Sequence, residues 1–238
     1  MIEQQEFVTT SVSEDVFSAI DMARKINDCV RIIGIPGIGK TAALNEYIKL
    51  RSGTFLLTAE PATAGSLNSV GMALSHLMTG SDARQAAIVW QELHRFVRDR
   101  EGLTLIVDEA QNCNLKIIRQ ILTLNDASGL PIIFCGNANV LKRSNVHAAD
   151  FDQISSRALT TCKVSGISDD DADRLTNTFG VEGKEAYVLM RRIAAKHHAR
   201  GIVKVLRRAR LVAGSAKTIR DCHIRDAAAD MPEIETCF

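Results

Sequence analysis

Residues 30–41, Val-Arg-Ile-Ile-Gly-Ile-Pro-Gly-Ile-Gly-Lys-Thr, constrain the fold of this chain more than any other stretch. An apolar run typical of a buried strand leads into Gly-x-x-x-x-Gly-Lys-Thr, and Ala42 to Ile48 then follow a helical pattern. Glycines let the backbone turn tightly and bring several N–H groups close to an oxyanion, and a helix that starts there adds its dipole. The stretch therefore predicts a phosphate-binding loop between a strand and a helix.

The loop residues have separate expected roles in binding ATP. Lys40 would contact the β- and γ-phosphates, and the Thr41 hydroxyl would bind Mg²⁺. ATP and Mg²⁺ are therefore the expected cofactors. The residues expected to surround the phosphates are Gly34, Ile35, Pro36, Gly37, Ile38, Gly39, Lys40, Thr41 and Ala42.

Short apolar runs alternate with helical periodicity over the first 165 residues. Predicted strands cover residues 30–33, 54–59, 103–108, 131–136 and 160–164. This alternation predicts an α/β fold in three layers, with helices on both faces of a parallel sheet. From Ser165 to about Met231 the chain is predicted to be helical, with interruptions at Gly180, Gly201 and Gly214. We expect a nucleotide-binding core at residues 1–165 and an all-helical lid at 166–238.

Two capping-box patterns mark expected helix starts. One is Ser11-Val-Ser-Glu14, ahead of the first strand, and the other is Ser168-Asp-Asp-Asp171, at the start of the lid. In such a box the first side chain accepts the backbone N–H three residues on, and the fourth side chain accepts the backbone N–H of the first.

Two adjacent carboxylates, Asp108 and Glu109, stand at the end of the apolar run 103–108. Parallel sheets bind ligands at the carboxyl ends of their strands. Asp108 would hold Mg²⁺ through water, and Glu109 would orient and deprotonate the attacking water. The alternative is an ordinary strand end followed by an acidic helix cap.

Three further residues are candidates for contact with the γ-phosphate. Asn137 follows the predicted strand 131–136 and could hydrogen-bond the phosphate or the attacking water. Arg157 could reach the nucleotide of a neighbouring subunit, where an arginine is worth roughly 10³ to 10⁵ in rate. Lys204 could contact the phosphates from the lid. Ordinary roles stay open for all three, namely a turn, helix-end carbonyl contacts and chance placement in a basic segment.

The positive charge of the chain is concentrated in residues 191–220. Ten of the 29 Lys and Arg residues lie there and no Asp or Glu does, so the rest of the chain holds 19 basic and 28 acidic residues. Such asymmetry points to an acidic partner, with nucleic acid the first candidate. The six cysteines form no Cys-x-x-Cys pair and no apolar run approaches a membrane span, so we expect a cytoplasmic protein without a membrane partner.

The order of these motifs resembles that of the AAA+ ATPases. The motifs are Gly34 to Thr41, Asp108-Glu109-Ala110-Gln111, Gly136-Asn137 and Ser156-Arg157, followed by a helical lid. Within that superfamily, Asp-Glu-Ala-Gln and Gly-Asn resemble the transposition ATPases, and the nearest resemblance is to the protein B family of Mu-like transposable phages. The resemblance covers about residues 10–230.

This resemblance implies an ATPase that binds ATP between subunits and is weak alone. Proteins of this family polymerise on DNA as rings or helical filaments, deliver target DNA to a transposase and stimulate it. Duplex DNA, further copies of the chain and a transposase are therefore the implied partners. The resemblance assigns nucleotide and metal roles to Lys40, Thr41, Asp108 and Glu109, that of first sensor to Asn137, arginine finger to Arg157 and second sensor to Lys204.

The DNA contacts are expected to come from the ATPase core and the lid. Mu proteins carry a helix-turn-helix domain before the loop, whereas only about 30 residues precede it here. The candidates are Lys142 and Arg143, near His147, and the lid residues Arg200, Arg207 and Arg208. Contacts of this kind are to phosphates and carry little sequence preference. The alternative is a solvated lid face that balances an acidic neighbouring subunit.

Two other interpretations of the whole chain stay open. One is a different Asp-Glu-Ala-Gln ATPase, such as a helicase loader or a secretion-associated ATPase. The other is a switch protein in which ATP controls assembly with little turnover.

Overall fold

A computed structural model describes residues 7–82, 85–140 and 160–237. Its strands are β1 (Cys29–Ile33), β2 (Thr54–Thr58), β3 (Thr104–Asp108), β4 (Ile132–Gly136) and β5 (Thr160–Lys163). The helices before β5 are α1 (Ser11–Ile26), α2 (Lys40–Leu50), α3 (Leu67–Thr79), α4 (Ala86–Arg98) and α5 (Leu115–Ser128), with a short 3₁₀ helix at Ala110–Asn112. After β5 come α6 (Asp169–Asn177), α7 (Lys184–Ala213), α8 (Asp221–Ala229) and α9 (Pro232–Glu235).

The five strands form one parallel sheet in the order β2-β3-β4-β1-β5. In this register Ile33 pairs with Gly136 and with Lys163, and Thr58 pairs with Asp108. Every residue of β3 and β4 is buried, as expected for parallel strands covered by helices on both faces. The predicted α/β class with a parallel sheet is confirmed, and all the predicted strands are present.

The chain divides into two compact units. The sheet unit comprises Asp15–Ile35 and Ala43–Val164. The helical unit comprises Met1–Glu14, Pro36–Ala42 and Ser165–Phe238, and therefore includes most of the predicted phosphate loop. The division into a core at 1–165 and a lid at 166–238 stays a prediction.

Helices pack around the sheet unit in two groups. Helices α3, α4 and α5 contact one another and enclose an apolar core with β3 and β4, in which Ile117, Leu93 and Phe134 are fully buried. Helices α1 and α2 meet through an edge-to-face contact of Phe17 with Tyr47. The buried Tyr47 hydroxyl donates a hydrogen bond of 2.6 Å to Asp21, and burial together with this carboxylate raises the pKa of Tyr47 to about 12.

Helix α7 organises the helical unit by packing against α6 and α8. Its buried stripe in the second half consists of Ile202, Val205, Leu206 and Ala209. The predicted interruption at Gly201 is wrong, because the helical backbone breaks at His198, with φ 56° and ψ −159°. Gly201 lies inside the helix, where a Cβ would come within 2.4 Å of the Cβ of His197. Close packing, and not helix termination, therefore requires the glycine.

The two capping predictions have different outcomes. Ser168 and Asp171 form the predicted capping box at the start of α6. At α1 the reciprocal bonds join Thr10 and Ser13, so the predicted box at Ser11 and Glu14 is wrong. The Ser11 backbone N–H and hydroxyl instead donate to the two carboxylate oxygens of Asp171, at 2.8 and 2.5 Å. None of the helices in the described ranges is long and apolar enough to cross a bilayer.

Candidate nucleotide-binding site

The predicted phosphate loop follows β1, which lies between β4 and the edge strand β5. The Gly34 N–H donates to the Gly136 carbonyl at 3.1 Å, which fixes the start of the loop to the end of β4. Gly37 and Gly39 have φ values of 84° and 111°, a region that residues with a Cβ rarely adopt. Helix α2 then begins at Lys40, so the positive end of the helix dipole lies at the end of the loop. This backbone is suited to binding an anion.

Two side chains of the loop differ in their exposure. Lys40 is 9% exposed and Ile38 is 1% exposed, so the apolar residue holds the loop in place while the lysine stem is largely covered. Thr41 is exposed at the first turn of α2. Its hydroxyl is an oxygen donor of the type that Mg²⁺ prefers.

Arg200, in the helical unit, contacts the phosphate loop. Its backbone N–H donates to the Gly37 carbonyl at 2.9 Å. A Cβ at Gly37 would lie 3.2 Å from the Cβ of Arg200. The break at His198 explains this bond, because it starts a new helical segment whose first N–H groups need partners outside that segment. Sequence reasoning grouped Arg200 with the DNA candidates and missed this position.

Lys204 forms an ion pair in the structure. Its ammonium group lies 2.5 Å from the Glu233 carboxylate, and this hydrogen bond holds the pKa of Glu233 below its ordinary value. Both side chains are about half exposed, so the pair is of a kind that contributes little to stability. The phosphate contact expected of Lys204 stays a prediction.

The two predicted acidic residues differ in environment. Asp108 ends β3, is 1% exposed and accepts the Glu109 N–H at 2.9 Å. Glu109 is exposed and adopts a left-handed conformation, with φ 52° and ψ 35°. This turn takes the chain out of the strand and leaves the Glu109 carboxylate exposed at the carboxyl edge of the sheet.

Gln111 connects Glu109 with Asn137. Its amide nitrogen donates to the Glu109 carboxylate, and its amide oxygen accepts the Asn137 backbone N–H at 3.3 Å. A Cβ at Gly136 would lie 2.1 Å from the Gln111 amide oxygen and 2.5 Å from a methyl group of Val140, so a side chain there would displace the Gln111 amide. The structure therefore brings Glu109 and Asn137 together through a residue to which the sequence assigned no separate role.

The amide oxygen of Asn137 already accepts a hydrogen bond within the protein. The donor is the Asn139 N–H, at 2.8 Å, in the type of turn that asparagine favours. The amide NH₂ group is therefore what Asn137 can offer to a phosphate or to an attacking water.

Comparison with known protein families identifies the sheet unit. The AAA domain family matches residues 24–143, just over half of the chain. The chain belongs to this family. The match includes the phosphate loop, both carboxylates and Asn137.

Relatives of this AAA protein act in transposition. The chain is 25% identical over 188 residues to the "Mu-like prophage FluMu DNA transposition protein B" of Haemophilus influenzae, with 77% of this chain and 65% of that protein covered. It is 22% identical over 233 residues to the "ATP-dependent target DNA activator B" of Escherichia phage Mu, with 96% of this chain and 74% of that protein covered. The resemblance to the Mu-like protein B family is therefore confirmed, although the chain spans only about two thirds to three quarters of these relatives.

A solved structure supports the fold. Cdc6p from Pyrobaculum aerophilum matches with a TM-score of 0.73 at 15% identity, and the match covers 97% of this chain and 69% of that one. This likeness extends through the helical residues after the sheet, as the predicted fold class requires.

Three predicted residues of this AAA protein lie outside the described residues. Arg157, Lys142 and Arg143 all fall within residues 141–159, as does His147. Their expected roles stay predictions.

Three of the ten basic residues in the segment 191–220 are paired with acids of the same helical unit. Arg191, Lys204 and Arg208 form ion pairs with Asp173, Glu233 and Asp230, respectively. Arg210 donates to the carbonyls of Phe179 and Ala216. Arg207 has no ion pair within the part of the chain that the structure describes.

The donor groups of this AAA protein fit ATP with Mg²⁺. The glycines with positive φ and the start of α2 offer N–H groups to phosphates, and Lys40 adds a positive charge. The Thr41 hydroxyl and the Asp108 carboxylate are hard oxygen donors, which Mg²⁺ requires.

Proposed function

We propose that this protein is an ATP-dependent, DNA-binding AAA+ ATPase that assembles on duplex DNA and activates target DNA for transposition. The observation that carries the ATPase is the β1–loop–α2 segment, in which two glycines with positive φ precede a lysine at the start of a helix. The names of the relatives support the role in transposition. The proposed place of action is the cytoplasm of a bacterial or phage-infected cell.

The loop residues bind and orient the triphosphate. Backbone N–H groups from Gly37 to Thr41 surround the phosphates, and Lys40 neutralises charge on the β- and γ-phosphates. Arg200 provides a second cation beside the loop, since its backbone is hydrogen-bonded to Gly37. Mg²⁺, held by Thr41 and through water by Asp108, supplies charge neutralisation when bound.

Glu109 acts on the attacking water. Its carboxylate accepts a proton from the water, while the Gln111 amide fixes the carboxylate in one orientation. The Asn137 NH₂ group donates to the γ-phosphate or to the same water. Arg157 of a neighbouring copy completes the charge stabilisation, so hydrolysis depends on assembly.

DNA is bound through its phosphates. Lys142, Arg143 and Arg207 are the proposed contacts, because Arg208 is paired with an acid and Arg200 lies at the loop. Such contacts give affinity that falls steeply with salt and little sequence preference. A transposase then uses the DNA held in this assembly as its target and stimulates hydrolysis.

The deciding experiment measures ATP hydrolysis with and without duplex DNA at two salt concentrations. We expect DNA to stimulate hydrolysis at low salt and the stimulation to fade at high salt. Lys40→Ala should abolish ATP binding, hydrolysis and ATP-dependent assembly. Lys49→Ala is the matched control, because Lys49 lies on the same helix α2 but is exposed and paired with Glu46.

Three results would contradict the proposal. Absence of DNA binding by the ATP-loaded protein at low salt would exclude the DNA-dependent function. Assembly with ATP but without measurable turnover would favour the switch protein instead. Equal activity of the Lys40→Ala and Lys49→Ala variants would remove the assigned role of the loop.

A further inference from the structure

A second basic site lies on the outer surface of the sheet unit, at the end of α4. Gln91, His94, Arg95 and Arg98 share one helical face, because they are spaced at i, i+3, i+4 and i+7. With Asp99 they line a cleft of about 420 Å³. Helix α4 leads through five residues into the amino end of β3, whereas Asp108 stands at the carboxyl end of that strand. The cleft therefore belongs to the opposite edge of the sheet from the candidate nucleotide site.

The ion pairs among the described residues leave out both arginines of this cleft. Arg95 and Arg98 form no ion pair in residues 7–82, 85–140 and 160–237. Arg100 differs, since its guanidinium stacks 4.1 Å from the centre of the Phe96 ring. Asp99 offsets one of the two positive charges at the rim. Two arginines that line one cleft offer forked donors of the kind that bind a tetrahedral oxyanion.

His94 forms the inner wall of the cleft in a defined tautomer. The Thr123 hydroxyl donates its single proton to the Gln120 carbonyl at 2.6 Å, so it accepts a hydrogen bond from His94 Nε2 at 3.1 Å. Because Nε2 carries a proton, Nδ1 of the neutral ring is an acceptor, and it becomes a second donor only when the ring is protonated. Burial and the charge of Arg98 lower the pKa of His94, which favours the neutral ring.

We propose that this cleft binds a phosphate-type oxyanion between Arg95 and Arg98, with His94 as a third donor. The anion is either a phosphodiester of duplex DNA or a free phosphate group, and the chemistry that recognises it is the same. Binding offsets the charge of Arg98 and makes protonation of His94 easier, so affinity rises as pH falls. Helix α5 packs beside His94 through Thr123, and the same face of α5 carries Arg119 and Asp126, whose charges are opposite. Asp99, at the end of the helix that carries His94, is the remaining charged group.

The test titrates the full chain with sodium sulfate, which does not change its charge near neutral pH, against sodium chloride at equal ionic strength. The His94 ring resonance, assigned with His94→Gln, should shift saturably with sulfate, and binding should be tighter at pH 6 than at pH 8. Arg95→Ala and Arg98→Ala should each weaken binding about tenfold. Arg100→Ala removes the same charge five residues from Arg95 and two from Arg98, outside the cleft lining, and should leave binding unchanged. Thermal melts of the variants establish that they are folded.

Duplex DNA then identifies the source of the anion. If the Arg95→Ala/Arg98→Ala double variant binds DNA with a salt slope lower by about two than Arg100→Ala does, the ligand is the DNA backbone. If sulfate binding is lost but DNA affinity equals that of Arg100→Ala, the ligand is a free phosphate group. No saturable shift beyond the chloride control, or equal sulfate binding by all three arginine variants, would overturn the site without affecting the proposed ATPase.

Discussion

The backbone of Glu109 is strained in the structure. A left-handed conformation costs a residue with a Cβ roughly 1 kcal/mol or more, and Glu109 adopts it with φ 52°. The conformation turns the chain sharply after β3 and places the carboxylate against Gln111. Strain at a residue assigned to water activation agrees with a functional reason for its presence.

Glu109→Gly should therefore separate stability from activity. Glycine adopts positive φ without strain, so we expect the free energy of unfolding to rise by about 1 kcal/mol while ATP hydrolysis is lost. Chemical denaturation and steady-state hydrolysis measure the two effects. Asn27→Gly is the matched control, since Asn27 has the same φ of 52° away from the site and should keep its activity. A less stable Glu109→Gly variant would contradict the strain.

Gln111 is expected to orient the Glu109 carboxylate without taking part in the reaction itself. Gln111→Ala removes the amide that holds the Glu109 carboxylate, so we expect kcat for ATP hydrolysis to fall about tenfold with KM unchanged. Asn112→Ala is the control, because the Asn112 amide donates to the Ala59 carbonyl at 2.8 Å and its loss should lower stability alone. An unchanged kcat in Gln111→Ala would show that Glu109 is oriented by other groups.

Among individual residues, the sequence predicted those whose chemistry follows from their type and spacing. Lys40, Asp108 and Glu109 stand in short motifs whose chemistry is local. Arg200 and Gln111 were missed because their roles depend on contacts across the fold. The bond of Arg200 to Gly37 joins positions more than 160 residues apart in the chain and depends on a helix break at His198 that the residue type does not indicate.

Asp171 stabilises two helix starts at once. It closes the capping box of α6 and also accepts the N–H and hydroxyl of Ser11 in the first turn of α1. Burial would raise the pKa of Asp171, but the hydrogen bonds from Ser11 and Ser168 outweigh it and hold the pKa below its ordinary value. A carboxylate with a lowered pKa in the folded state stabilises the fold above its unfolded pKa, near 4, and loses that contribution as pH falls through the folded pKa.

Asp171→Asn should destabilise the protein at neutral pH by roughly 1 kcal/mol, the usual cost of losing a helix cap. The variant should also lose less stability than the wild type when pH falls below about 4, since it has no carboxylate to protonate. Urea unfolding from pH 3 to pH 7 measures both effects. Asp170→Asn removes an exposed partner of Arg174 and should change little. Parallel pH curves for wild type and Asp171→Asn would contradict the assignment.

The elements that sequence predicted best are those decided by local pattern. Strands β3 and β4 are continuous apolar runs bounded by turns, and the start of α6 has an unambiguous cap. The start of α1 was predicted one residue late, because Ser11 is engaged by Asp171, which is 160 residues distant. Gly201 was taken for a helix break because glycine is a poor helix former, whereas packing against His197 explains it.

For the molecule as a whole, the count of basic residues in 191–220 overstates how much positive charge this segment can offer to an acidic partner. Residues 191–220 carry ten basic residues, but acids that flank this segment in the chain pair with several of them. Sequence totals do not show this, because the pairing depends on how α6, α8 and α9 pack beside α7. The order of the strands in the sheet was likewise not predicted, since apolar runs do not specify their neighbours.

Arg207 and Arg208 provide a direct test of which charges reach DNA. Arg207→Ala should weaken binding to duplex DNA and reduce the salt slope by about one, because it removes an arginine that forms no ion pair among the described residues. Arg208→Ala should leave the slope unchanged, because Arg208 is paired with Asp230. Fluorescence anisotropy over a range of salt concentrations measures both. Equal slopes for the two variants would exclude Arg207 from the DNA contact.

The Arg200 N–H donates a hydrogen bond to the Gly37 carbonyl, so this one amide proton can report binding both at the phosphate loop and at the second half of α7. A nucleotide that favours the hydrogen bond between Arg200 and Gly37 also orders the second half of α7. Thermodynamic linkage is reciprocal, so a partner that orders this half of α7 raises the affinity for nucleotide by the same factor as nucleotide raises the affinity for that partner. Exchange of the Arg200 amide with deuterium should therefore slow on binding of nucleotide or of such a partner. The same amide would therefore report both events.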